Sequence, residues 1–212
     1  MNHFKRIALL PPALLLCICF VRAQTEFRPF YHPDWIVSVF NAGTLLPGSG
    51  FITTPLHPGV SAGAEFPYNM SLKNRWFQTA RLGVSYHQYV QTSVQIYSEA
   101  GYRRSIWQGT AIEMRLGAGY LHAFSNTAVF KLKDGVYKQK TNLGRPQLMA
   151  SSAVGLSYRS PKKTDAPRFF LDYQFFLQLP FVKSYVPLLP NTALHVGVAF
   201  PFSLFKHNSH EK

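Results

Sequence analysis

The sequence predicts an all-β fold, an eight-stranded antiparallel β-barrel of the transmembrane up-and-down type. Three observations predict it. Short segments alternate apolar and polar side chains and are separated by turn residues. The less apolar face of those segments carries mainly Gly, Ala, Ser and Gln with a few charges of both signs, where a water-facing sheet would carry Lys, Glu and Thr. Beyond the first two dozen residues no apolar run is long enough for a spanning helix, so a membrane reading must rest on strands.

The amino-terminal residues are taken first because they change every later count. Lys5 and Arg6 precede an apolar stretch of fifteen residues, Ile7 to Val21, and Val21-Arg22-Ala23 closes it with a small residue. This is the layout of a cleavable secretory signal peptide, and the stretch is too short for a comfortable membrane-spanning helix. The expected organisation is residues 1–23 as signal peptide and 24–212 as one barrel domain. Both cysteines, Cys17 and Cys19, fall inside the leader, and Leu16 before Cys17 argues against lipid attachment. The remaining chain has no thiol, which excludes disulfides, thiolate metal sites and a cysteine nucleophile. Without Lys5, Arg6 and Arg22, 19 of the 22 basic residues remain against 9 acids, a net +10. That balance favours anionic partners, which for an exported chain are lipid head groups and lipopolysaccharide before nucleic acid.

Eight strands are expected, at about 34–43, 57–68, 77–88, 92–104, 109–123, 147–159, 168–179 and 192–204, with ends uncertain by a few residues. In the second, Val60, Ala62, Ala64, Phe66 and Tyr68 oppose Ser61, Gly63 and Glu65. In the fifth, Ile112, Met114, Leu116, Ala118 and Tyr120 oppose Glu113, Arg115, Gly117 and Gly119. The other strands alternate likewise, except the first, whose faces are ambiguous. Small residues and balanced charges suit a narrow enclosed lumen, so the apolar face is assigned to lipid. Tyr68, Tyr86, Tyr102, Tyr120 and Tyr158 recur at strand ends, as an interfacial aromatic girdle requires. The connections near 44–56, 89–91, 124–146 and 180–191 are mostly longer than those near 69–76, 105–108 and 160–167, which sets the first group outside and both termini inside.

On strand count and facing, the chain resembles the small eight-stranded outer-membrane barrels of OmpA/OmpX-like architecture over most of residues 24–212. The resemblance implies Sec-type export to the outer membrane of a Gram-negative bacterium. Its expected partners are outer-membrane lipid, lipopolysaccharide and the barrel assembly machinery, which the aromatic-ended last strand (Phe200, Phe202, Phe205) would engage. It further implies a monomer, no cofactor, no nucleic-acid partner, and a non-enzymatic role in envelope structure or surface contact through the loops. A soluble, exported lipocalin-like barrel with an apolar ligand is the alternative of opposite polarity.

Four groups of residues could carry chemistry. Residues 120–127, Tyr-Leu-His-Ala-Phe-Ser-Asn-Thr, resemble the His-x-Ser-Asn signature of the lipid A 3-O-deacylases, which implies His122 as base and Ser125 as nucleophile of an outer-leaflet serine esterase. The spacing here is His-x-x-Ser, which puts the two side chains on opposite faces unless a bulge intervenes. No acid lies in the sixth strand to orient the imidazole; the next acids are Asp134, Asp165 and Asp172. The bland reading is an interfacial histidine beside a loop-starting Ser-Asn pair. Lys131, Lys133, Lys138, Lys140 and Arg145, against Asp134, make the third outside loop basic and a candidate for lipopolysaccharide phosphates. Glu65, Arg81, Glu99, Arg103, Glu113, Arg115 and Asp172 share the inward parity, as either a solute path or a satisfied polar plug. His57, His87 and His195 share it too, scattered over three strands without the spacing of a metal site. There is no Gly-rich phosphate loop, GxSxG elbow or HExxH motif.

Overall fold

A computed structural model describes residues 32–47, 50, 55–69, 71–88, 91–126, 130–133, 135–139, 143–162, 166–180 and 187–202. The expected signal peptide, Lys140, Asp134, Asp165 and Phe205 lie outside the described residues. Period-two alternation becomes strand along nearly the whole described chain. The elements are β1 (Asp34–Gly43), β2 (Pro58–Pro67), β3 (Asn74–His87), β4 (Gln91–Trp107), β5 (Thr110–Ser125), β6 (Phe130–Lys133), β7 (Val136–Gln139), β8 (Arg145–Arg159), β9 (Arg168–Leu179) and β10 (Leu189–Pro201). Eight of them close a barrel in which every neighbouring pair is antiparallel, in the order β1-β10-β9-β8-β5-β4-β3-β2. Closure leaves no sheet edge with unpaired backbone groups, the condition for placing strands in hydrocarbon. The expected fold class, all-β with eight antiparallel barrel strands, is the one observed.

Strand bounds agree with the sequence at β1 and β9; β2 is one residue shorter at each end, β10 begins and ends three residues earlier, and the largest extension is in β4. The cause is a tight turn. Trp107 pairs with Thr110 across Gln108 and Gly109, so the β4–β5 ladder runs almost to the chain reversal. Gly109 has φ +84, and a Cβ there would meet the Arg159 carbonyl oxygen at 2.2 Å, so the turn requires glycine on both counts. The β6–β7 hairpin inside the third long connection was not anticipated; it pairs Lys131 with Lys138 and Lys133 with Val136.

The two faces of the barrel have opposite character. Leu82, Ile96, Met114, Leu116, Leu148, Val154 and Val196 are more than half exposed on the outside. Glu65, Glu99, Glu113, Asp172, Arg103 and Arg115 are buried inside. A soluble barrel has the reverse arrangement. β1 is apolar on both faces: Trp35, Val37 and Val39 point out, while Ile36, Phe40 and Ala42 are buried. Its ambiguity in the sequence follows from an apolar layer in the lumen, where Phe40, Ala42, Tyr97, Leu121, Ala123, Met149, Phe176 and Ala193 cluster toward the long-loop end.

The lumen's glycines have a packing role. Phe40, Phe77 and Phe170 each sit directly across the ladder from a glycine, Gly59, Gly101 and Gly197 respectively. A Cβ on any of the three glycines would come within 2.3 Å of the facing ring. An inward aromatic in so narrow a barrel must lie flat over its neighbour, and only glycine leaves room.

The exterior polarity gives a direct test. Leu116, 70% exposed near the middle of β5, is expected in the Leu116→Arg variant to cost about 2–4 kcal/mol, the midplane cost of a cation facing lipid. The measurement is the urea midpoint of the barrel folded in lipid vesicles; an unshifted midpoint would put this face in water.

Candidate functional site: the ion-paired lumen and its long-loop rim

The inward residues of non-adjacent strands converge on one hydrogen-bonded lattice. Arg103 on β4 grips Glu65 on β2 with both terminal nitrogens, each 2.8 Å from a carboxylate oxygen, and its Nε donates to Glu113 at 2.7 Å. Arg168 on β9 donates to the same two carboxylates, Glu113 at 2.7 Å and Glu65. Arg115 on β5 reaches three acids: Asp172 at 2.7 Å, Glu99 at 3.1 Å and Glu113 at 3.4 Å. The contacts Arg168–Glu65, Arg115–Asp172 and Gln174–Glu99 join strands that are not neighbours in the barrel, so they cross the lumen rather than run along its wall.

A neutral branch continues the lattice toward the long-loop end. Glu99 accepts from Ser151 at 2.9 Å and from the Gln174 amide nitrogen at 2.8 Å. That orientation turns the Gln174 oxygen toward His195 Nε2, 3.1 Å away, so Nε2 carries the imidazole proton and Nδ1 accepts from Ser38 at 3.2 Å. Ser38 meets Ser61 at 2.7 Å. Guanidiniums also rest on aromatic faces: Arg103 lies 4.5 Å from the centroid of Phe77, and Arg81 5.5 Å from that of Phe170. The layers therefore run glycine, ring, guanidinium, carboxylate.

Of the seven lumen residues expected from the sequence, Glu65, Glu99, Arg103, Glu113, Arg115 and Asp172 meet in this lattice. Arg81 is buried beside them and sits on Phe170, with no ion pair to a carboxylate among the described residues. Sequence reasoning missed Arg168, Gln174, Ser151 and His195 as members. The signal was present, since Arg168 is in phase with Asp172 and Gln174 along one strand.

Two of the three inward histidines come together at the long-loop rim. The His57 and His87 rings stack at 3.5 Å between centroids and 16° between planes. Parallel rings do not aim their lone pairs at one ion, and no group of three His, Cys, Asp or Glu side chains able to hold a metal occurs among the described residues.

The esterase pair is not assembled. The β4–β5 ladder runs unbroken through Gln91↔Ser125, Thr92↔Phe124, Ser93↔Ala123 and Val94↔His122, so the bulge that would bring the two side chains to one face is absent. His122 is instead held from both sides. Its Nε2 donates to the Leu143 carbonyl at 3.0 Å, and its Nδ1 accepts the Tyr120 hydroxyl at 2.7 Å. Both ring nitrogens are engaged in these bonds, and no carboxylate is bonded to the imidazole among the described residues. Asp172, the one described acid among the three considered, is bound to Arg115 in the lumen.

The basic loop residues fall on the β6–β7 hairpin and its flank. Lys131, Lys133 and Lys138 are hairpin positions, and Arg145, which opens β8, is exposed.

An apolar exterior around an ion-paired, filled interior defines the class of small eight-stranded membrane barrels. No family model matches the chain and no curated protein matches its sequence. Among solved structures it is similar to Neisserial surface protein A, at 12% identity over 81% of this chain and 96% of that one, TM-score 0.49. It is similar as well to the outer membrane enzyme PagL, at 10% identity over 79% and 99%, TM-score 0.47. Ail, the attachment invasion locus protein of Yersinia pestis, is similar at 12% identity over 81% and 98%, TM-score 0.45.

The lattice predicts a sharp stability effect. Glu113→Gln removes the charge shared by Arg103, Arg168 and Arg115 and is expected to cost about 3–5 kcal/mol, the penalty for stranding a buried cation. Denaturant unfolding of the refolded barrel measures it; a loss under about 1 kcal/mol, the range of an exposed pair, would mean that water reaches the network.

Proposed function

We propose that the chain is an outer-membrane β-barrel of the Gram-negative envelope, exported with residues 1–23 as a cleaved signal peptide and folded from residues 24–212. It is a closed, non-enzymatic barrel whose contacts with the surroundings are made by its long loops. The observation that carries this reading is the pairing of an apolar exterior with a cross-linked ionic lumen. Such a lumen offers no through-path for solutes, and Glu99 and Asp172 have no exposed surface. The same polarity argues against a lipocalin-like carrier, which needs its apolar surface inside. The engagement of His122 by Tyr120 and Leu143 argues against a lipid A deacylase.

The long loops lie at the end opposite the termini, which in an outer-membrane barrel is the cell exterior. There the basic hairpin with Lys131, Lys133 and Lys138, together with Lys140 and Arg145, faces the phosphates of lipopolysaccharide, whose contacts with cationic side chains are charge-assisted.

Cell fractionation is expected to recover the protein with outer membranes, beginning at Gln24, and to give a heat-modifiable band on gels. Release by salt without detergent would refute the membrane assignment. Exchanging Lys131, Lys133, Lys138, Lys140 and Arg145 for Gln is expected to weaken lipopolysaccharide binding and flatten its salt dependence. Binding that keeps its affinity and salt slope would remove the loop from the interface. Lipid A acylation, read by mass spectrometry, is expected to be the same with and without the protein.

A further inference from the structure

Among the described residues, cations outnumber carboxylates at the end of the lumen where β1 begins and β10 ends. Six buried or half-buried guanidiniums line the described lumen (Arg75, Arg81, Arg103, Arg115, Arg159 and Arg168) against five carboxylates (Asp34, Glu65, Glu99, Glu113 and Asp172). Toward the terminus side the excess concentrates in Arg75, Arg103, Arg159 and Arg168, which share Asp34, Glu65 and Glu113. Arg103 and Arg168 use Glu65 and Glu113, and Arg159 holds Asp34 at 2.6 Å. Arg75 forms no hydrogen bond or ion pair among the described residues, although Arg103, Glu65, Arg159 and Asp34 all lie within its electrostatic reach.

The backbone register sharpens the imbalance. Arg75 is directly opposite Arg103 on the β3–β4 ladder, and Arg159 directly opposite Arg168 on β8–β9. Like charges facing across a ladder repel; Glu65 and Glu113 offset this at Arg103 and Arg168 and Asp34 at Arg159, which leaves Arg75 as the one of the four with no ion pair among the described residues. The Nε–H groups of Arg159 and Arg168 are, moreover, buried and hydrogen-bond nothing among the described residues, and Arg168 as a residue is only 4% exposed. Buried charged donors are normally satisfied.

We propose that the terminus-side mouth of the lumen binds a small soluble oxyanion of the phosphate class. Arg75 supplies the unmatched charge, and the Nε–H groups of Arg159 and Arg168 supply fixed donors. Guanidinium donors match oxyanion geometry, and an eight-stranded lumen admits only a compact ion. The site lies inside the strand wall, so its source is solution rather than the bilayer. The proposal depends on the lumen's charges and not on what the long loops bind.

The test is isothermal titration of the full mature protein, folded in non-ionic detergent, with inorganic phosphate at constant ionic strength. Saturable one-site binding is expected. Arg75→Gln is expected to weaken it by about tenfold or more, the loss of one charge-assisted contact, while Arg104→Gln, exposed on the outside of β4, leaves it unchanged. Should Arg75→Gln fail to fold, the wild-type thermal midpoint decides, rising with phosphate but not with chloride at equal ionic strength. Heat that does not saturate, equal affinity in a folded Arg75→Gln, or a midpoint set by ionic strength alone would each overturn the proposal.

Discussion

The rest of the structure depends on the carboxylate–guanidinium lattice that crosses the lumen. Each of its charges was taken from water into a space where Glu99 and Asp172 have no exposed surface, and an isolated ion there would cost several kcal/mol. The cost is met by number and geometry: Glu65 and Glu113 each receive at least two guanidiniums, and Arg115 donates to three acids. Arginine suits the task because its planar fork keeps its charge and can serve several carboxylates from one position. Phe77 and Phe170 support the guanidiniums from behind, and those rings lie flat only because Gly101 and Gly197 face them. A substitution at any layer therefore disturbs the next.

The lattice also divides the molecule by task. An interior cross-linked between β2, β4, β5 and β9 leaves little freedom for the wall to breathe, so variation is left to the connections. At the long-loop end the lumen turns apolar, with Phe40, Tyr97, Leu121, Met149 and Phe176 packed together below the stacked His57 and His87. At the other end the described residues are ionic, with Arg75, Arg103, Arg159 and Arg168 around Asp34, Glu65 and Glu113. The two mouths thus present different chemistry although one barrel wall continues between them.

Much of this was legible before any coordinates. Facing was readable wherever one side of a strand was apolar and the other small or charged, as in β2, β5 and β8. It failed at β1, where Ile36 and Phe40 enter an apolar layer of the lumen and cancel the alternation. Seven lumen charges were readable from parity alone; their partners were not, because parity does not say which strands face each other across a barrel. The esterase resemblance shows the converse limit. A local string can match a signature while an unbroken ladder sends His122 and Ser125 to opposite faces.

By itself the sequence determined the number of barrel strands and the direction of each alternating face, because period-two sterics are a local property of the chain. Only the tertiary structure decided that Arg168 on β9 reaches Glu65 on β2, that Arg81 rests on a ring, and that Arg75 forms no ion pair among the described residues. Those outcomes depend on closure, which brings residues about a hundred positions apart into one narrow interior and fixes how its charges are shared.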